Sequence, residues 1–224
     1  MTTSRKVELA NNLSEIEERI SNAARDSNRD RSSITLIVVT KTFPVDDAEI
    51  LYDLGIRDFG ENRDHEGSLK APVLPDDARW HFQGQIQGRK IASISKWASV
   101  VHSLDSQDHA RKFSSLQTAD ETHVREFFLQ INLDPLPGHR GGIPVSDIPT
   151  FLAESPLTIS GLMVVPPLDV NPKEAFFQVK GLSVEFGLPN ISMGMSGDFE
   201  EAIYAGATHI RVGSSILGSR PPLT

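Results

Sequence analysis

Apolar residues fall at Leu9, Leu13, Ile16, Ile20 and Ala23, with Glu15, Glu17, Glu18 and Arg19 between them. Spacings of four, three, four and three mark one buried helix face. They predict an amphipathic helix at the start of the chain that frays near residues 26–30. Beyond it the pattern changes. Short runs rich in β-branched and aromatic residues at 34–39, 57–60, 80–83, 99–102, 124–133, 159–165, 191–193 and 209–212 read as strands. Residues 45–54, 63–70, 87–95, 107–116, 145–153, 172–186 and 198–205 read as helices between them.

Strands alternating with helices call for a parallel sheet covered by helices. No internal repeat, linker or second compositional regime interrupts the 224 residues. The expected architecture is therefore α/β, with a single domain over 1–224. It is a closed (β/α)8 TIM barrel preceded by one extra N-terminal helix. The stretch 134–144, DPLPGHRGGIP, concentrates proline and glycine and reads as a mobile loop after the fifth strand.

Charge and composition remove several function classes. A formal net charge of −8 repels phosphate backbones and disfavours nucleic-acid binding. The absence of cysteine excludes disulfides, thiol catalysis and cysteine-ligated metals. The N-terminus has no secretory h-region and no apolar run is long enough to cross a bilayer, so a cytoplasmic protein without membrane attachment is expected. His102, His109, His123 and His139 are scattered without H-x-x-x-H pairing, which gives no metal site. Trp80 and Trp97 read as packing residues.

Active sites of this barrel form at the C-terminal ends of the strands, and phosphate groups are often held after strands seven and eight. The chain has MGMSGD (193–198) and RVGSSILG (211–218) at those two places. Glycine admits backbone N–H groups close to an anion, and serine adds a hydroxyl. Each turn alone is better explained by ordinary helix capping; both at the two expected places favour a phosphate site. Lys41 ends the first strand, which closes against the eighth, so its amine faces the same mouth. A partly desolvated lysine is a nucleophile for carbonyls. An aldehyde carrying a phosphate satisfies both features, and pyridoxal 5′-phosphate (PLP) is the common molecule of that kind. The alternative is that Lys41 snorkels from the strand end or pairs with an acid such as Glu61. Arg211, two residues before Gly213, is placed to donate to a ring nitrogen, or to form a salt bridge on the rim.

Six blocks in order carry a family resemblance: VVTKTFP (38–44), DFGENRDHE (58–66), RWHFQGQIQ (79–87), SGLMVVPP (160–167), ISMGMSGDFEEAI (191–203) and HIRVGSSILG (209–218). The chain resembles the pyridoxal-phosphate homeostasis proteins over about residues 5–220, departing from their pattern at Arg89. The resemblance implies a PLP fold-type III barrel like the N-terminal domain of alanine racemases. It implies PLP held as an internal aldimine on Lys41. Ser196 and the backbone of Gly213 and Ser214 would hold the phosphate, Arg211 the ring nitrogen, and Asn62, His81 and Met193 the ring pocket. It further implies a carrier or regulator of vitamin B6 pools without established catalysis, exchanging PLP with free amino acids or apo-PLP enzymes.

Two enzyme readings compete with that expectation. A PLP-dependent racemase needs a second base, which alanine racemases take from a tyrosine on an added β-domain. Here Tyr52 and Tyr204 fall in outer helices and the chain ends just after strand eight, which also favours a monomer. A Schiff-base aldolase usually carries its lysine on a later strand than Lys41.

Overall fold

The opening periodicity folds as helix α1 (Thr3–Asp26), and Leu9, Leu13, Ile16, Ile20 and Ala23 are all buried, as their spacing requires. The structure is a computed structural model and describes residues 3–134, 141–167 and 170–219. Most of the proline- and glycine-rich loop expected at 134–144, including His139, lies outside the described residues.

The strands are β1 (Thr35–Val39), β2 (Asp58–Glu61), β3 (Arg79–Phe82), β4 (Val100–Leu104), β5 (Glu126–Asn132), β6 (Ile143–Pro144), β7 (Gly161–Met163), β8 (Asn190–Met195) and β9 (His209–Val212). The helices after α1 are α2 (Val45–Asp53), α3 (Asp64–Lys70), α4 (Ile91–Ile94), α5 (Gln107–Thr118), α6 (Ile148–Glu154), α7 (Pro172–Glu185), α8 (Phe199–Tyr204) and α9 (Ser214–Leu217). The described strand pairs are parallel. The sheet runs β1-β2-β3-β4-β5-β7-β8-β9 and closes where β9 meets β1, which makes the expected eight-stranded barrel. The two-residue β6 pairs only with Ile131 and Asn132 at the end of β5, beyond the residues that pair with β7. The helix expected at 87–95 is a 3₁₀ turn at Gly88–Lys90 running into α4. Among the described residues no helix is long and apolar enough to cross a membrane.

Side chains alternate across the strands with period two. Leu36, Val38, Phe59, Trp80, Phe82, Val101, Phe127, Leu129, Leu162, Ile191, Ile210 and Val212 join one core between barrel and helices. The lumen is different. Val100, Phe128 and Met163 form a small apolar cluster there, among His81, His102, Ser192, His209 and Arg211, which are all buried. His102 stacks on Phe128 with ring centroids 4.5 Å apart, and His209 meets the same ring edge-on at 5.0 Å.

Helix α1 packs on the outside of the barrel against α8, α9 and α2. Arg5 donates to both oxygens of Asp47 on α2, at 3.0 and 2.7 Å. It also donates to the carbonyl of Leu217 at 3.0 Å, and Asn12 donates to that of Ile216 at 2.9 Å. These carbonyls end α9 and have no intrahelical donor of their own. The added helix thus fixes α9, whose other end faces the site.

Candidate cofactor-binding site

A cavity of about 260 Å³ opens at the C-terminal ends of the strands. Of the residues expected at the site, Lys41, Asn62, Ser196, Arg211, Gly213 and Ser214 lie on its wall. The two Gly/Ser turns and the end of β1 therefore converge on one space, as strand closure requires.

The backbone carrying Lys41 is tied on both sides. Thr40 Oγ1 donates to Glu61 Oε1 at 2.6 Å, and the Thr40 carbonyl accepts from Lys70 Nζ at 2.8 Å. Thr42 takes a left-handed φ of 69°, rare for a β-branched residue, and its N–H donates to Glu66 Oε2 at 2.6 Å. Lys70 Nζ also lies 2.6 Å from Glu61 Oε1 in a buried ion pair, so Glu61 is engaged by Lys70 and Thr40. Burial raises the Glu61 pKa, against the pull of Lys70.

Arg211 is held in plane by two contacts. One terminal nitrogen donates to Ser192 Oγ at 2.8 Å and the other to the Val164 carbonyl at 2.9 Å. Burial lowers its pKa to about 10, with Asp198 opposing, so it stays protonated at neutral pH.

The phosphate-type turns also meet. Gly213 N–H donates to Ser196 Oγ at 3.2 Å. Asp198 orders the turn after β8 by accepting from Met195 N–H at 2.6 Å. Gly194 sits at φ 87°, and a Cβ there would lie 2.6 Å from that of Ala202. Gly84 is equally constrained: a Cβ would lie 1.8 Å from the Asn62 carbonyl oxygen. Gly84→Ala is therefore expected to push Asn62 off the cavity wall and destabilise the fold by about 3 kcal/mol, read by urea unfolding. A loss under about 1 kcal/mol would show that the two loops part freely.

Two expected residues stand elsewhere. Met193 neighbours the lumen-facing Ser192, so strand alternation turns it outward into the core beneath the helices. Met195 lines the cavity instead, because β8 shifts register against β9 between Ser192 and Met195. His81 faces the lumen one layer too deep: it is fully buried, with Nε2 on Asp58 and Nδ1 on His102. Gln83, two residues further along the chain, reaches the wall. Sequence reading missed Gln83, Val165 and Met195; the period-two step from His81 to Gln83 was the available signal.

The donor set fits a flat, anionic, carbonyl-bearing molecule. Val39, Met163 and Val165 give an apolar wall for a ring, Arg211 a fixed donor, and Lys41 an amine. Asn62 Oδ1 and Gln83 Nε2 are buried on this wall and make no hydrogen bond within the protein, which leaves an acceptor and a donor for a polar ligand.

The chain is 40% identical over 222 residues to the pyridoxal phosphate homeostasis protein of Corynebacterium glutamicum, covering 92% of this chain and 99% of that one. The chain belongs to the pyridoxal phosphate homeostasis protein family. A second member of the family, from Pseudomonas aeruginosa, is 34% identical and covers 95% of this chain. The structure of Synechococcus elongatus PipY with PLP bound superposes at a TM-score of 0.78 and 28% identity, over 94% of this chain and all of that one. Alanine racemase of Bartonella henselae shares the fold at a TM-score of 0.67 and 13% identity, and this family member spans 61% of it. No family model matches the chain.

Proposed function

We propose that this chain binds PLP through an imine bond to Lys41 and serves PLP homeostasis as a carrier, without turning over a substrate. The observation that supports it is the convergence of Lys41, Arg211 and the Ser196 and Gly213–Ser214 turns on one cavity of about 260 Å³. When bound, PLP supplies an aldehyde and an electron-accepting ring. Lys41 lines the cavity and would present its amine to that aldehyde. The Ser196 hydroxyl and the backbone N–H groups of Gly213 and Ser214 would hold the phosphate. Arg211 would donate to the ring nitrogen and, with a pKa of about 10, would keep its own proton at neutral pH, which would limit electron withdrawal by the ring. Asn62 and Gln83 would complete the ring's polar contacts with their unpaired atoms. His81 and Met193 take no direct part.

The carrier reading is favoured over a racemase by where the tyrosines lie. Tyr52 is on α2, its hydroxyl bonded to Asp77 and its ring under Arg57, and Tyr204 is on α8. Neither reaches the cavity as a second base. The test is borohydride reduction of protein incubated with PLP, followed by peptide mass analysis. The reduced adduct is expected on Lys41 and is lost in Lys41→Ala. An adduct on another lysine, or none, overturns the reading. The loaded protein is further expected to pass PLP to an apo-PLP enzyme, while L- and D-amino acids in deuterated water show no turnover of Cα exchange. Sustained exchange would favour the enzyme.

A further inference from the structure

Closed barrels of this class usually fill the lumen with branched apolar side chains. This one carries a continuous row of polar atoms. Asp58 Oδ1 lies 2.9 Å from His81 Nε2, and His81 Nδ1 lies 2.8 Å from His102 Nε2. His102 Nδ1 lies 2.9 Å from Ser192 Oγ, which lies 2.8 Å from a terminal nitrogen of Arg211. His81, His102 and Ser192 are wholly buried (0% exposed) and none of the three lies on the cavity wall.

The ends of the row fix its direction. A guanidinium only donates and an ionised carboxylate only accepts. Arg211 donates to Ser192, so the Ser192 hydroxyl proton goes to His102 Nδ1. His102 then carries its proton on Nε2 and donates to His81 Nδ1. His81 likewise carries its proton on Nε2 and donates to Asp58. Four hydrogen bonds are each supplied with one proton, and both imidazoles are neutral. Burial, which lowers both imidazole pKa values, agrees with that assignment.

We infer that this row is a positioning relay, in which His81, His102 and Ser192 set the orientation of Arg211 and couple it to Asp58 at the opposite end of the barrel. The planar guanidinium has a defined direction only while both its anchors, Ser192 and the Val164 carbonyl, are in place. Ser192 can accept from Arg211 and still spend its own proton only because His102 presents an unprotonated Nδ1. That tautomer holds only because His81 accepts from His102, and His81 can accept because its own proton goes to Asp58. The groups facing the row are consistent with this polarity. Arg79 lies 3.6 Å from Asp58 and 2.8 Å from Glu126, His209 stands edge-on to His102 at 6.0 Å between ring centroids, and the Asp198 charge acts on Arg211. For its ligand, the inference rests on the PLP reading above.

Two measurements separate the relay from that reading. The first uses the protein without added PLP. In ¹⁵N-histidine NMR, His81 and His102 are expected as neutral Nε2–H tautomers at pH 7. Ser192→Ala should shift the His81 nitrogens as well as those of His102, although only His102 touches Ser192. Another tautomer, or His81 signals unmoved by Ser192→Ala, overturns the relay whether or not PLP binds. The second follows PLP by absorbance. Ser192→Ala should weaken PLP binding by about tenfold, the size of one lost hydrogen bond to a charged group. Asp58→Asn, at the partly exposed end, keeps an acceptor but removes the charge. It should move the pH midpoint of the bound-PLP absorbance change while leaving the thermal midpoint near wild type. Wild-type affinity in Ser192→Ala, or an unmoved pH midpoint in Asp58→Asn, overturns the relay. Failure of the wild-type protein to bind PLP instead overturns the cofactor reading, and the NMR result still decides the relay.

Discussion

Lys70→Met is expected to cost about 3–5 kcal/mol at pH 7.5, the usual loss when one partner of a buried ion pair is removed. Lys70 and Glu61 are both buried, and Lys70 Nζ is 2.6 Å from Glu61 Oε1. Without the ammonium, Glu61 keeps only the Thr40 hydroxyl as a partner, since its Oε2 makes no hydrogen bond in the native protein. Burial already raises the Glu61 pKa with Lys70 present, and removing Lys70 drives it further up. A carboxyl with a raised folded pKa binds more protons folded than unfolded, so its share of stability grows as pH falls. The Lys70→Met penalty should therefore shrink between pH 7.5 and 5.5 in urea unfolding. Glu61→Gln combined with Lys70→Met should recover most of the loss. An equal penalty at both pH values would mean that Glu61 does not depend on Lys70. The link to function is local. Lys70 also holds the Thr40 carbonyl at 2.8 Å, so the variant loosens the backbone that carries Lys41 and should slow borohydride trapping there.

What could be read in advance followed from periodicity and strand closure. Alternating apolar runs located all eight barrel strands, and closure of the first on the last brought Lys41 to the two Gly/Ser turns. The short β6 was not legible, because two residues ending in Pro144 carry no period. The inner wall was also hidden. Which of Met193 and Met195 reaches the mouth depends on a register shift in β8, and sequence spacing does not encode such a shift. The depth of His81 relative to Gln83 depends on barrel stagger, which links residues on different strands. The ion pair of Glu61 with Lys70 crosses from β2 to α3, and a pairing of Glu61 with Lys41 was equally compatible with the spacing. The histidines were informative in one respect. Buried polar residues on otherwise largely apolar strands, His81, His102 and His209, carry a burial cost that a purely structural lumen avoids.

That cost appears in acid. Lowering the pH from 6.5 to 5 is expected to remove about 1.6 kcal/mol of stability through His209, whose loss steepens toward about 1.4 kcal/mol per pH unit, and His102 adds a loss of the same sign. Burial pushes the His209 pKa down to about 3 and that of His102 well below its usual value. The unfolded chain binds these protons near pH 6.5 while the folded one does not, so their contribution is complete above that pH and is lost as pH falls toward the folded values. His81 is lowered too, but Asp58 pulls it back and its share is smaller. Glu61 and Asp198, both raised by burial, act in the opposite sense. Urea unfolding at pH 7, 6 and 5 reads the slope, and His209→Gln should lower it by about one proton. A slope unchanged by His209→Gln would mean that His209 charges inside the barrel. His209 contacts Phe128 and Thr208 but bonds to no member of the Asp58–Arg211 row. The same variant should therefore flatten the acid response and leave PLP affinity within about twofold of wild type, which separates the burial cost of a lumen histidine from the positioning of Arg211.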